Sequence, residues 1–131
     1  MLGMTDLLII DDSDIDVFVF RESVRIHRSP FQCSSCRSGH IALKFIDDYV
    51  RARSCLPKVI VVDNTMPMMH GLEFIELLSV RFPELMKEAN VFLISVHIEP
   101  AVERRARLLG ATGVLLKPVT LQMLRYLEAF T

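Results

Sequence analysis

The segment Val59-Ile60-Val61-Val62-Asp63 consists of four consecutive β-branched apolar residues followed directly by an aspartate. A run this short and apolar at every position predicts a strand buried on both faces, since a half-solvated strand alternates apolar and polar residues. A weaker strand is predicted near Phe31–Cys36. Three further runs share the continuous apolar pattern: Leu7–Ile10, Val91–Ile94 and Val114–Leu116.

The segments between these runs carry apolar residues at helical spacing. Ala42, Phe45, Ile46 and Tyr49 lie at i, i+3, i+4 and i+7, which places them on one face of a helix. Pro83 is interpreted as a break between elements. Alternation of strands with single helices predicts an α/β fold: a doubly wound, five-stranded parallel sheet of (βα)5 type. The other predicted helical faces are Val17/Phe20/Val24, Phe74/Leu77/Leu78, Val102/Ala106/Leu109 and Met123/Tyr126/Leu127/Phe130.

Length and composition indicate one globular domain. The 131 residues are 51% hydrophobic and 24% charged, which excludes a disordered chain. A net charge of −1 provides no basic field for nucleic acid and no polybasic patch for a membrane surface. No apolar run approaches the roughly 18 residues of a membrane span. The three cysteines do not suit a disulfide framework, so a reducing, cytoplasmic setting is expected.

A polar residue or pair follows each of the four strong strands. Asp11-Asp12 follows the first run, Asp63 follows Val62, Ser95 follows Ile94, and Lys117 follows Leu116. Because ligands of such sheets bind beyond the carboxyl ends of the strands, we expect these side chains to share one edge.

Three carboxylates at one edge repel one another, and a hard divalent cation relieves that repulsion. Oxygen ligands with retained waters suit Mg²⁺. Asp63 is the best candidate nucleophile, since attack of a carboxylate on phosphorus gives an aspartyl phosphate. Lys117 would then neutralise charge on the transferred group as a compact cation.

Several of these residues also have a purely structural interpretation. Asp12 or Ser13 can cap the following helix, and capping does not exclude metal binding. Asp14 and Asp16 suit the positive end of that helix. Cys33 and Cys36 have no second ligand pair at metal spacing, and on a strand they would point to opposite faces, which favours small buried thiols. Met66, Met68 and Met69 are interpreted as packing residues of a loop, and Glu103, Arg104, Arg105 and Arg107 as a solvated helix face or a docking surface.

Four motifs carry a resemblance to a known family: the pair Asp11-Asp12, the segment Asp63-x-x-Met66-Pro67-x-Met69-x-Gly71, Ser95, and Lys117-Pro118. With these, the chain resembles a response-regulator receiver domain, the phosphoacceptor module of two-component signalling. The resemblance covers about residues 6–130. It implies a single receiver domain over residues 1–131 of the stand-alone type, with no output domain.

The resemblance also implies a magnesium site. In the implied site, Asp11 and Asp12 hold Mg²⁺, and Asp12 is the more direct ligand. Asp63 and the backbone carbonyl of Thr65 complete the protein ligands.

The resemblance further implies that Asp63 accepts a phosphoryl group from the phosphohistidine of a sensor histidine kinase or histidine phosphotransfer protein. Ser95 would hydrogen-bond one phosphoryl oxygen. Lys117 would pair with another and, in the resting state, with Asp63. The domain would promote its own phosphorylation and dephosphorylation without being an enzyme for an external substrate, and would switch binding to a downstream protein.

Two positions depart from the usual pattern of that family, and two others bear on the lifetime of the phosphorylated form. Val96 stands where a small residue is common beside the phosphoryl site, and Val114 stands where an aromatic side chain is common on the fifth strand. Thr65 and His97 occupy positions that tune dephosphorylation. Two alternatives therefore stay open: a receiver-like interaction module that needs no phosphorylation, and an aspartate-nucleophile phosphatase of the haloacid-dehalogenase type, suggested by Asp12-Ser13-Asp14.

Overall fold

A computed structural model describes residues 5–53 and 55–131. Within this part of the chain the strands are β1 (Leu7–Ile10), β2 (Cys33–Cys36), β3 (Val59–Asp63), β4 (Asn90–Ser95) and β5 (Gly113–Leu116). The helices are α1 (Asp14–Ile26), α2 (Gly39–Arg51), α3 (Gly71–Arg81), α4 (Pro83–Glu88), α5 (Pro100–Leu108) and α6 (Leu121–Glu128). All strand pairs are parallel, in the order β2-β1-β3-β4-β5, which confirms the predicted doubly wound parallel sheet.

The register of the sheet decides which residues meet at its carboxyl edge. Ile10 pairs with Val62, and Asp63 pairs with Ile94. Ser95 pairs with Leu116, one residue before Lys117. The ends of β1, β3, β4 and β5 therefore lie side by side.

Both faces of the sheet are buried, which explains the continuous apolar runs. Leu8, Ile60 and Leu93 point to one face, where they join a core cluster with residues of α2, α3, α4 and α5. Alternate strand residues such as Ile9 and Val61 point to the other face and pack with residues of α1 and α6.

The helix α1 begins directly above the carboxyl edge. Ser13 is its N-cap, and the Ser13 hydroxyl accepts a hydrogen bond from the backbone N–H of Asp16 at 3.2 Å. Asp14 and Asp16 lie in the first turn, where carboxylates complement the positive end of the helix dipole. Of the two predicted caps, Asp12 and Ser13, the structure therefore uses Ser13, and Asp12 stays available to the site.

Three details of the helical pattern differ from the prediction. Pro83 begins α4 instead of only separating elements, because a proline at the first helical position loses no intrahelical hydrogen bond. In α3 the buried partner of Phe74 and Leu78 is Ile75, while Leu77 is 37% exposed. In α6, Leu124 is fully buried beside the predicted Leu127, whereas the predicted Tyr126 is 49% exposed.

The three cysteines are free thiols. Cys36 belongs to one core cluster and Cys33 packs against the other, so the two side chains point to opposite faces as predicted. Burial raises the pKa of the Cys36 thiol to about 11. Cys55 is exposed, on the chain that leads into β3. Among the described residues, no helix is both long enough and apolar enough to cross a membrane.

Candidate functional site

A cavity of about 460 Å³ opens at the carboxyl edge of the sheet. All six residues that the sequence predicted for the site line this cavity: Asp11, Asp12, Asp63, Thr65, Ser95 and Lys117. The convergence follows from the register of the sheet. Their grouping is therefore a result of the fold, and their chemical roles are considered below.

Three carboxylates form the acidic part of the site. Asp11, Asp12 and Asp63 each offer an oxygen, and these oxygens lie within 4.8 Å of one another. Asp11 and Asp63 are nearly inaccessible to solvent, at 4% and 5% exposure. Asp11 is fixed from both directions, because its backbone N–H donates to the Cys36 carbonyl at 3.0 Å and its Oδ1 accepts from the Ser13 N–H at 2.9 Å.

The Lys117 ammonium faces three carboxylates. Its Nζ lies 2.8 Å from Asp16 Oδ2, 3.0 Å from Asp11 Oδ2 and 3.4 Å from Asp63 Oδ1. The predicted resting contact with Asp63 is thus present, but it is the longest of the three. The contact with Asp16 was not predicted. Only the position of Asp16 in the first turn of α1, a helix that begins at the strand end, could have signalled it.

Burial and charge shift the pKa values of two site residues. Burial raises the pKa of Asp63 above its ordinary value, and repulsion from Asp11 adds to the rise, while Lys117 and the Thr65 backbone N–H oppose it. Burial alone would lower the pKa of Lys117, but its hydrogen bonds to Asp16 and Asp11 outweigh burial and raise it. The ammonium is therefore firmly protonated, and Asp63 carries an electrostatic cost that a bound cation would reduce.

Two hydroxyls lie beside the carboxylates. Ser95 is 2% exposed, and its Oγ lies 3.4 Å from Oγ1 of Thr65. The Lys117 backbone N–H donates to the Ser95 carbonyl at 2.9 Å, which ties the ends of β4 and β5 together. The hydroxyl and the ammonium together provide donors for an anionic group at this edge.

The loop after Asp63 is held close to the strand. The Gly71 N–H donates to the Asn64 carbonyl at 3.1 Å, and the Leu72 N–H donates to Asn64 Oδ1 at 3.2 Å. A Cβ on Gly71 would lie 2.7 Å from the Asp63 carbonyl oxygen, so only glycine fits here.

The methionines of this loop do not all pack as predicted. Met66 and Met69 are buried in the core, in agreement with the loop-packing interpretation. Met68 differs, because it is 92% exposed and its backbone has a φ of 69°. Its backbone makes the turn, and its side chain extends into solvent.

Val96, Val114 and His97 lie at the rim of the site or outside it. Val96 lines the cavity mouth and is 78% exposed. Val114 packs against the core cluster on the α2–α5 face. His97 is exposed, with its Nε2 3.0 Å from Glu99. The side chain of Val96 therefore flanks the site without filling it.

The charged groups of α1 and α5 outside the cavity have separate partners. Asp14 pairs with Arg37 at 3.2 Å and does not line the cavity, so the third carboxylate beside Asp11 and Asp12 is Asp63. On α5, Arg107 pairs with Glu103 of the same helix at 3.1 Å.

Comparison with known families identifies one match. The family model described as "Response regulator receiver domain" matches residues 7–127. A comparison with curated protein sequences found no significant match.

Solved structures of similar fold cover nearly the whole chain. A two-component response regulator from Cytophaga hutchinsonii has a TM-score of 0.85 and 27% identity, over 94% of this chain and 92% of its own. A two-component response regulator from Legionella pneumophila has a TM-score of 0.81 and 22% identity, over 95% of both chains. Chemotaxis protein CheY4 of Vibrio cholerae has a TM-score of 0.74 and 23% identity, over 98% of this chain and 100% of its own.

Proposed function

The chain belongs to the response regulator receiver family, and from that premise we propose that Asp63 is a reversible, Mg²⁺-dependent phosphoryl acceptor. The donor is the phosphohistidine of a sensor kinase or phosphotransfer protein, in the cytoplasm, and phosphorylation switches binding to a partner protein. One observation carries the proposal: Asp63 shares a single cavity with three further carboxylates, a buried hydroxyl and an ammonium group.

Receiver domains typically bind Mg²⁺ at an acidic pocket, and the donor set here suits that ion. Asp11, Asp12 and Asp63 supply only hard carboxylate oxygens, at mutual distances that one cation can span. These three residues, with the backbone carbonyl of Thr65, would hold the metal. When bound, Mg²⁺ neutralises charge on the transferred group and on the carboxylates around it.

The transfer needs one nucleophile and one leaving group. A carboxylate oxygen of Asp63 attacks phosphorus, a P–O bond forms, and the P–N bond to the donor imidazole breaks with its electron pair left on nitrogen. Lys117 donates to one equatorial oxygen of the transferred group and Ser95 donates to another. Partial burial of these donors strengthens both contacts relative to water.

The same two contacts provide a switch. A phosphoryl group adds roughly −1.5 to −2 charge and three strong acceptors at Asp63. Lys117 and Ser95 are joined by a backbone hydrogen bond, so a movement of either toward the group moves both strand ends. The phosphoryl group then shifts a pre-existing equilibrium between two conformations of the domain, by an amount set by the difference in its affinity for them. About 5.5 kcal/mol separates a 1:99 from a 99:1 population.

Receiver domains are generally signalling modules and not enzymes. The phosphatase alternative needs Asp14 beside Asp12 in the site, whereas the Asp14 side chain pairs with Arg37 outside the cavity. The phosphorylation-independent module differs from our proposal in one property: its partner binding would be the same whether or not Asp63 can be phosphorylated.

A small phosphodonor tests the proposal directly. Incubation of the protein with acetyl phosphate and Mg²⁺ is expected to add the mass of one phosphoryl group, measured by intact mass spectrometry. Asp63→Asn and chelation of Mg²⁺ are each expected to abolish the added mass. Asp14→Asn, which removes a carboxylate outside the cavity, is expected to retain it.

Added mass that persists in Asp63→Asn would overturn the assignment of the acceptor. Turnover of a phosphomonoester, lost in Asp12→Asn but kept in Asp63→Asn, would favour the phosphatase instead. Equal partner binding by wild type and Asp63→Asn would favour the phosphorylation-independent module.

A further inference from the structure

Asp16 holds the site's ammonium more closely than Asp63 does. Its Oδ2 lies 2.8 Å from Lys117 Nζ, against 3.4 Å for Oδ1 of Asp63. Asp16 belongs to the first turn of α1 and lines the same cavity. It lies outside the group of three carboxylates whose oxygens are close enough to share a metal ion.

The contact has a direct consequence for the Lys117 hydrogens. A lysine ammonium has three hydrogens. In the unphosphorylated protein, two of them are donated to Asp11 and Asp16. The third hydrogen faces Asp63 Oδ1, but this contact is the longest of the three, at 3.4 Å. A closer contact between Lys117 and a group on Asp63 therefore requires the ammonium to shift away from Asp16 or Asp11.

Asp16 is the partner that can release Lys117 at lower cost. The Asp16 side chain is 44% exposed, so water replaces the lost hydrogen bond. Asp11 is 4% exposed, and its carboxylate would be left buried without its cation.

We propose that Asp16 is a positioning residue that keeps the contact between Lys117 and Asp63 long until phosphorylation, and so slows the gain of the phosphoryl group without affecting its loss. This inference rests on the proposed function, because it assigns a role to a neighbour of the same site. Before transfer, Lys117 must leave Asp16. In the phosphorylated form Lys117 is already on the phosphoryl group, so hydrolysis involves no further exchange.

The test compares Asp16→Asn with a matched variant on the same turn. Asp14→Asn removes the same charge from the first turn of α1, but Asp14 pairs with Arg37 and not with Lys117. With acetyl phosphate at saturating Mg²⁺, Asp16→Asn is expected to raise the phosphorylation rate about 3- to 10-fold, equivalent to about 0.6–1.4 kcal/mol. The rate of phosphoryl loss after donor removal is expected to change less than about 2-fold. Asp14→Asn is expected to change neither rate.

A second variant and a second measurement separate positioning from general charge or folding effects. Asp16→Glu keeps a carboxylate on this turn and is expected to restore slow phosphorylation, whereas Asp16→Ser is expected to behave like Asp16→Asn. In the unphosphorylated protein, the ¹H–¹⁵N NMR signal of the Lys117 ammonium is expected to broaden in Asp16→Asn, since the group exchanges faster with water.

Four results would overturn the inference: equal phosphorylation rates in wild type and Asp16→Asn, equal acceleration by Asp14→Asn, parallel changes in gain and loss of the phosphoryl group, or an unchanged Lys117 signal. A failure of the proposed function itself is a different result. Wild type would then gain no phosphoryl group, while the NMR comparison would still report whether Asp16 holds Lys117.

Discussion

The two edges of the sheet have cavities of similar volume, but among the residues that the structure describes, charged side chains are buried at only one of them. The carboxyl edge has a cavity of about 460 Å³, and the opposite edge has one of about 410 Å³ beside Lys58 and Glu88. At the opposite edge Lys58 is exposed and Asp6 is half-buried. At the carboxyl edge Asp11 and Asp63 are buried beside one ammonium group.

This difference indicates that the arrangement of the carboxyl edge serves binding as well as folding stability. Buried like charges are costly, and the sheet does not need them, since it starts its strands with apolar or solvated residues at the other edge. Local conflict of this kind is expected where a site must bind something. Matched substitutions at the two edges measure how much these buried charges cost in folding free energy.

The largest difference is expected from the two lysines. Lys117→Met leaves Asp11 and Asp63 buried without their cation, and we expect a loss of about 3 kcal/mol in unfolding free energy in the absence of Mg²⁺. Lys58→Met at the opposite edge is expected to change stability by less than about 0.5 kcal/mol. Urea denaturation measures both. Mg²⁺ is expected to stabilise Lys117→Met more than wild type, and losses of equal size at the two edges would remove the distinction drawn here.

An intermediate difference is expected from two glycines. Gly71→Ala places a Cβ 2.7 Å from the Asp63 carbonyl oxygen and 2.9 Å from Asn64 Cα, which forces the backbone to shift. We expect a loss of about 1–3 kcal/mol. Gly113, at the start of β5, has no atom within 3.7 Å of such a Cβ, so Gly113→Ala is expected to be neutral within about 0.5 kcal/mol. Thermal unfolding of the two variants is the measurement, and a stable Gly71→Ala protein would contradict the close packing of this loop.

The smallest difference is expected from Asp63→Asn and depends on pH. Because the pKa of Asp63 is raised in the folded protein, the folded state binds more protons between the unfolded and folded pKa values, and its stability falls as pH rises through that window. Above the window the cost is fully present, so without Mg²⁺ Asp63→Asn is expected to be more stable than wild type at neutral pH. As pH falls through the window, this advantage is expected to disappear.

Asp6→Asn serves as the control at the opposite edge, where no such gain is expected. Denaturation of the three proteins across the pH range gives the comparison. A neutral-pH advantage that stays constant as the solution is acidified would contradict an electrostatic origin.

The sequence predicted the strands and the membership of the site for a physical reason. Val59–Val62 is apolar at every position because both faces are covered, and the parallel register then carries Asp63, Ser95 and Lys117 to one edge. Chain order alone was enough to group these residues, although their roles remain predictions.

What the sequence did not predict depends on three-dimensional geometry. Asp16 had an adequate explanation as a first-turn carboxylate, and only the path of α1 over the strand end places it on Lys117. Pro83 was interpreted as a break because proline both ends and begins helices, and the neighbouring residues decide which. Leu77 and Ile75 are both apolar, so periodicity could not choose which of them faces the sheet.

The distribution of the three thiols makes one of them suitable for chemical labelling. Cys36 is buried and held in its unreactive form by its raised pKa, and burial also raises the pKa of Cys33. Cys55 is exposed, outside the carboxyl-edge cavity and lining the cavity at the opposite edge. A maleimide dye or a sensor-chip linker would attach there without blocking the acidic cavity, so conformational change can be followed by fluorescence in the unmutated protein.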